Sequence, residues 1–399
     1  MSSTSAERAS GHSGPGVQDF DLHGVVGVRV LDANSDDVAT VRRQLGPIEA
    51  TLHRDPDIII RFVDDLRTEP LTLVGVGDSG FDDDTFVLLR GRRGVGGRTS
   101  IPFDRIARGI EIVCERGLPA VPHLLAIINL TALAKGVLPL HASAFTSGST
   151  GVLVTGWSKG GKTEALLGCM SDGSHYVGDE WVYLTDDGSM LGLPEPIRIW
   201  AWQFDQLPAL LRARPGRDRR RLAAWRGLAR LAQSGTHARV PVSTLVRRAQ
   251  PVLGRQAYLQ VPPAELFGAH RVALRGRLDA VVLVMSHESA RTESRPVSPT
   301  EIAQRMQASL EEERAALMTH YRHFRYAFPH RTNPVIDNAA ELESKLLNSL
   351  VNGRPCVKVL HPHPCNVHLL GRTVVGAAKA AYDEAAVSRA PESPPTRAS

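Results

Sequence analysis

The chain has 399 residues, 42% of them hydrophobic and 22% charged, enough for two domains or one large domain carrying insertions. No stretch approaches the ~18 consecutive apolar residues that a membrane-spanning helix needs, and residues 1–16 are Ser- and Gly-rich without a signal-peptide core. A cytoplasmic protein with no membrane partner is the expectation. Only six of the 47 basic residues behind the net charge of +5 are lysine. That bias suggests a GC-rich genome rather than a nucleic-acid surface, so no nucleic-acid partner is expected.

Residues 1–18 are small, polar and aperiodic, and are predicted to be disordered. Apolar runs at 25–31, 58–63, 71–76 and 86–89 read as strands, and 35–45 as a helix with an acidic start. Together they make residues 19–117 a small mixed α/β unit, mostly strands. The spacing of Leu124, Ile127, Ile128, Leu130 and Leu133 predicts a helix over 119–135, ended by Gly136. Strands are expected at 138–145 and 151–155, joined by a tight turn, then a helix over 164–170 and strands at 175–178, 181–184 and 190–193. From 204 to 274 the pattern reads as helical and arginine-rich, an insertion near 205–260. A strand at 278–285, helices at 299–327 and 338–350, and strands at 356–360 and 367–370 complete a domain spanning 118–384. Residues 385–399, rich in Pro, Ser and Ala, are expected to be disordered.

Four cysteines, at 114, 169, 356 and 365, form no disulfide framework. Cys356 and Cys365 flank His361 and His363, but no second tight Cys/His pair exists to complete a zinc site. The prolines at 362 and 364 read as a strand exit. Arginines 217, 219, 220, 221 and 226 form a dense basic patch whose simplest reading is a solvated helical face. If it docks anything, an acidic or phosphorylated partner is the physical expectation.

The segment Gly156-Trp157-Ser158-Lys159-Gly160-Gly161-Lys162-Thr163 satisfies Gly-x-x-x-x-Gly-Lys-Thr between an apolar strand and a helix. Glycines there let backbone N–H groups converge on phosphate oxygens, and the helix N-terminus adds a positive end. Lys162 can neutralise the β- and γ-phosphates of ATP, and the Thr163 hydroxyl can ligate Mg2+. A carboxylate for that metal is expected at Asp179, at the end of the next strand, with Glu180 able to hold the metal or poise an attacking group. His141 lies on the strand preceding the loop and is a further candidate. Phosphoryl transfer to a hydroxyl is the expected chemistry, with Asp179, His141 and Lys162 catalytic. The alternative is an ATPase or nucleotide-gated regulator with no phospho-acceptor.

Residues 138–184 resemble the catalytic core of the HPr kinase/phosphorylase family: Leu-His-Ala-Ser, a strand ending in Val-Thr-Gly, the glycine loop, a helix, and a strand ending in paired acids. The likeness is closer to bacterial relatives described as serine kinases, some acting on peptide natural products. The resemblance implies an α/β fold with a mixed-sheet P-loop core, shared with the phosphoenolpyruvate carboxykinases, rather than an ordinary doubly wound sheet. It implies ATP and Mg2+ as cofactors, a serine of a protein or peptide or a small hydroxylated metabolite as acceptor, and a homo-oligomer. It implies phosphate and metal binding at Lys162 and Thr163, acceptor activation or metal binding at Asp179, and a histidine near the phosphates at His141. Glu180 stands where the family has a second Asp. Glu195-Pro196-Ile197-Arg198 only approximates the family's Glu-Ile-Arg signature. The N-terminal unit and the arginine-rich insertion lie outside the resemblance.

Overall fold

A computed structural model describes residues 16–75, 77–90, 96–234 and 257–389. The chain is mixed α/β and divides into two compact units, Met1–Lys135 with Arg314–Ala339, and Gly136–Glu313 with Ala340–Ser399. The helix expected at 119–135 therefore belongs to the first unit.

In the first unit, strands β1 (Val17–Leu22), β2 (Val26–Leu31), β3 (Ile58–Val63), β4 (Thr72–Val74), β5 (Ser79–Phe81), β6 (Phe86–Arg90), β7 (Gly96–Ser100) and β8 (Ile110–Glu115) form one mixed sheet ordered β1-β2-β3-β8-β7-β6-β5-β4. The alternation that buries Ile58, Ile60 and Phe62 makes β3 a core strand. Helix α1 (Ser35–Leu45) has sharp ends: Asn34 accepts from the amides of Asp36 and Asp37, the Asp37 carboxylate accepts from the Asn34 amide, and Gly46 stops it. Helix α2 (Leu124–Ala134) is buried on most of its surface.

The second unit is built on a six-stranded sheet of β10 (Ser143–Ser147), β11 (Thr150–Thr155), β12 (His175–Gly178), β18 (Ala280–His287), β19 (Glu293–Pro296) and β20 (Cys356–Pro362), ordered β12-β10-β11-β18-β20-β19. Its central strands β11, β18 and β20 are parallel. β11 and most of β18 are buried on both faces, as parallel strands usually are, while β20 alternates buried and half-buried residues. Val152, Val154, Val282 and Val284 pack with helices α3 (Lys162–Ser171) and α11 (Val367–Arg389). Leu153, Val281 and Leu283 point the other way, toward an antiparallel sheet of β9 (Leu138–His141), β13 (Trp181–Leu184), β14 (Ser189–Gly192) and β17 (Arg275–Arg277). The start of α8 (Pro299–Ala327) and α10 (Ala339–Val351) share that second core through Ile302, Met306 and Leu347. A separate two-stranded antiparallel sheet pairs β15 (Ile197–Trp200) with β16 (Tyr258–Val261), alongside α4 (Ala201–Gln206), α5 (Pro208–Arg212), α6 (Gly216–Ser234) and α7 (Pro263–Phe267). The short helix α9 (Pro334–Asp337) belongs to the first unit.

Several sequence-based expectations are corrected. Residues 367–370 open the 23-residue helix α11 rather than forming a strand, and that helix carries through 385–389, where disorder was expected. A four-residue apolar run cannot distinguish a strand from the buried face of a helix. Strand β1 begins at Val17, inside the segment expected to be disordered, while residues 1–15 and 390–399 of the expected disordered ends lie outside the described residues. The expected single strand over 138–145 is two strands in different sheets. The insertion near 205–260 is not helical throughout, since β16 opens at Tyr258, and residues 235–256 of it lie outside the described residues.

Helices α3 and α11 cross where glycine meets glycine. A Cβ on Gly168 would fall 2.2 Å from the Val367 carbonyl oxygen, and one on Gly371 would fall 2.4 Å from the Gly168 carbonyl carbon. Gly168→Ala should therefore cost about 1–3 kcal/mol through overpacking, read as a lowered midpoint in thermal or urea unfolding. An unchanged midpoint would mean that the two helices are not in this contact.

Candidate functional site

The loop leaves β11 at the carboxyl ends of the parallel strands, where open α/β sheets bind their ligands. Gly156 has φ +152°, and a Cβ there would lie 2.4 Å from the Val284 carbonyl oxygen. Gly161 has φ +107°, and its Cβ would lie 2.2 Å from Nε2 of His361 on β20. Both positions need glycine for backbone shape and for space. The loop tip, Trp157, Ser158 and Lys159, is exposed, whereas Gly160, Gly161 and Lys162 are buried. Lys162 folds back so that Nζ donates to the carbonyl oxygens of Gly156 and Trp157, each at 3.1 Å. Burial lowers its pKa, against the pull of Glu180, Asp179 and Glu313. His361 supports the loop from below, its Nε2 donating to the Gly160 carbonyl oxygen at 2.8 Å.

The acids are placed by a feature of the topology. Strands β9 and β13 lie in the antiparallel sheet, β10 and β12 in the six-stranded one, so the chain changes sheets once at Ala142 and again at Asp179–Glu180. The two crossovers lie side by side. His141 pairs with Trp181 in register, Ala144 with Gly178, and the Ala142 amide donates to the Glu180 carbonyl at 3.2 Å. Glu180 takes φ +66° to make the turn, a conformation that non-glycine residues seldom adopt.

Each crossover delivers one pair of side chains. On one side the hydroxyl of Ser143 donates to Asp179 Oδ1, and that of Thr163 donates to Asp179 Oδ2 at 3.1 Å. On the other, His141 places Nε2 3.1 Å from Glu180 Oε2 and Nδ1 against Glu313 Oε1 on α8. Burial, reinforced by the charge of Glu180, pushes the Asp179 carboxyl up to about 7, although both hydroxyls and Lys162 oppose this. The hydrogen bond from His141 holds Glu180 below the usual carboxylate range, although its partial removal from water opposes this. Burial works against the imidazolium of His141, but the bonds to Glu180 and Glu313 outweigh it and hold its pKa above the ordinary value.

The structure thus brings Lys162, Thr163, Asp179, Glu180 and His141 into one constellation. Glu195, just before β15, has a buried Oε1 without a hydrogen-bond partner, and burial plus the charges of Glu180 and Asp179 push its carboxyl well above the usual range. Arg198 stacks over Tyr258, 4.9 Å from its ring centroid, and is near enough to Glu180 to favour its ionised form. Sequence reasoning missed three members: Ser143, Glu313 and His361. Ser143 was legible in principle, two residues beyond His141. Glu313 and His361 arrive from 172 and 201 residues away, with no local signal.

The donor set fits a magnesium ion. Thr163 and Asp179 converge as one hydroxyl and one carboxylate, the oxygen donors that a hard divalent cation takes. Among the described residues no three His, Cys, Asp or Glu side chains could hold a metal by themselves. An ion here would complete its shell from phosphate oxygens and water, as Mg2+ usually does.

No family model matches the chain, and no curated protein is similar to it. Among solved structures it is similar to the Hpr(Ser) kinase/phosphatase from Coxiella burnetii at 12% identity, over 63% of this chain and 95% of that one, with a TM-score of 0.24. A likeness at that level does not establish a shared fold. Among the described residues no helix is long and apolar enough to cross a membrane.

Two outcomes test the geometry. An unfolded aspartate loses its proton near 3.8, whereas folded Asp179 keeps it to about 7. Between those values the fold holds the extra proton, so stability falls as pH rises through the window. Metal-free Asp179→Asn should melt above the wild type at pH 8, by about 5 °C, with the gap closing near pH 4; a gap independent of pH would contradict the buried carboxyl. Gly161→Ala should lower the stability of the fold by about 1–3 kcal/mol, through both the clash and the backbone strain. Adding His361→Ala should recover part of that loss in scanning calorimetry, and strictly additive effects would show that the two residues do not touch.

Proposed function

We propose that the chain is an ATP-dependent kinase that transfers the γ-phosphoryl group to a hydroxyl of a protein, a peptide or a small metabolite. The observation that carries this reading is the bridge from Thr163 to Asp179, which ties the first turn of the loop's helix to a buried carboxylate beside a second, more exposed one. Backbone N–H groups of the loop and Lys162 would cradle the phosphates, Lys162 exchanging its carbonyl partners for phosphate oxygens. Bound Mg2+ would be held by Thr163 and Asp179 and would offset charge on the transferred group.

The two acids divide the work by environment. Asp179 is buried against the metal-binding hydroxyl. Glu180, its side chain 48% exposed, can reach an incoming acceptor. Glu180 then orients the acceptor O–H and takes its proton as the new O–P bond forms and the β–γ bridging bond breaks, ADP leaving with that bridging oxygen. His141, whose hold on its second proton is strengthened by the bonds to Glu180 and Glu313, sets the direction of the Glu180 carboxylate.

Calorimetry with Mg2+ and ATP should give saturable heat, and label from γ-labelled ATP should move to an acceptor. Label appearing only as inorganic phosphate across a broad acceptor set would favour the ATPase reading, and absence of binding would reject both. Lys162→Ala should lower turnover by about a hundredfold or more while leaving the melting temperature near wild type. Glu180→Gln should bind Mg2+–ATP normally and lose transfer, and wild-type kinetics in either variant would remove that residue from the mechanism.

A further inference from the structure

We propose that the exposed arginine face of α6 docks an acidic segment of the protein or peptide that carries the acceptor hydroxyl. The inference rests on the kinase reading and names the class of its substrate. At helical spacing, the buried or half-buried positions 218, 222, 225 and 226 lie on one side of α6, and Arg217, Arg220 and Arg221 share an exposed arc on the other. The side chain of Arg217 is 88% exposed and only approaches Asp218, at 3.8 Å. Arg219, Arg220 and Arg221 form no ion pair among the described residues. A solvated face of an ordinary helix carries charges of both signs; this one carries one sign.

A second observation places α6 itself near the loop, its buried side turned toward α4 and its arginine arc outward. Arg226 anchors α6 to α4 through Asp205 at 2.6 Å and the Ala201 carbonyl at 2.9 Å. Two residues before Asp205, Gln203 donates to Glu164 at 2.9 Å, and Glu164 directly follows Thr163. From α6 to the phosphate loop is therefore a chain of two polar contacts. Leu222 is buried in the same core as Leu166 of α3, so the helix is fixed rather than loosely appended.

The charges explain why docking would be separate from chemistry. Glu180 and Glu313 flank His141 at the reaction site, and an acidic segment would meet their carboxylates there. Binding energy taken at a remote basic face can still hold the hydroxyl near Glu180. A flexible peptide fits that division better than a nucleic acid, because among the described residues the exposed arc from 217 to 224 carries no aromatic side chain for base stacking.

The test uses the full chain and a fluorescent serine peptide flanked by glutamates, with a glutamine-flanked twin, at low salt. The glutamate peptide should bind and the twin should not. Arg217→Glu/Arg220→Glu/Arg221→Glu should weaken binding by about tenfold or more, and the corresponding lysine variant should stay within about threefold of wild type. Binding of both peptides alike, binding of neither, or an affinity untouched by the charge reversal would overturn the proposal. So would tighter, arginine-dependent binding of a single-stranded oligonucleotide. Peptide binding is read without nucleotide, while Mg2+–ATP calorimetry on the same variants is expected to be unchanged. A failed kinase reading would appear in the calorimetry alone.

Discussion

The site depends on one buried carboxylate. Asp179 is taken from water at the seam between two sheets, and such a group survives only if its oxygens find donors or its charge finds a partner. The hydroxyls of Ser143 and Thr163 meet the first need, one from each side. Those bonds tie together the start of β10, the end of β12 and the first turn of α3, three elements that the chain order alone does not bring together. The loop's position relative to the acids is thereby set by a polar contact as well as by hydrophobic packing. Lys162, also buried, lies in the field of the same carboxylates.

Much of this was legible in the sequence because the relevant signals are local. The glycine loop, its strand and its helix are contiguous, and α1 was bounded correctly because its caps are written into Asn34, Asp37 and Gly46. The paired acids could be found from their place after a short strand. What escaped was whatever needed a second strand to give it meaning. The break at Ala142 is invisible in an apolar run, since nothing local says that its two halves join different sheets. Helix α11 was misread for a related reason: its first apolar residues face Gly168 in a tight crossing, and period alone cannot separate that from a strand.

The glycines of the loop illustrate the same limit. Sequence pattern attributes them to phosphate approach, and the backbone angles at Gly156 and Gly161 agree that side chains are disfavoured there. The neighbours add a different reason. Gly156 abuts the Val284 carbonyl on β18, and Gly161 abuts the ring of His361 on β20. Each glycine lets a parallel strand close on the loop from beneath, so the cradle and the sheet under it constrain one another. A change in β20 would be felt in the loop without any residue of the loop being altered.

Charge explains why the arrangement suits a ligand that carries a cation. Asp179, Glu180, Glu195 and Glu313 crowd around two buried or part-buried cations, Lys162 and His141, with Arg198 farther out. Burial first, and the neighbouring acids second, drive the carboxyls of Asp179 and Glu195 upward, while Glu180, paired with His141, is driven down. Neighbouring carboxyls therefore differ in their hold on a proton, Asp179 keeping one more tightly than Glu180. A divalent ion entering between Thr163 and Asp179 would neutralise the more strained of the adjacent pair and leave Glu180 facing outward. The nucleotide's own negative charge would then be met by the ion, by Lys162 and by the helix end together. On the proposed reading, Mg2+–nucleotide would relieve the electrostatic cost of these crowded carboxyls, so binding and stability should rise together.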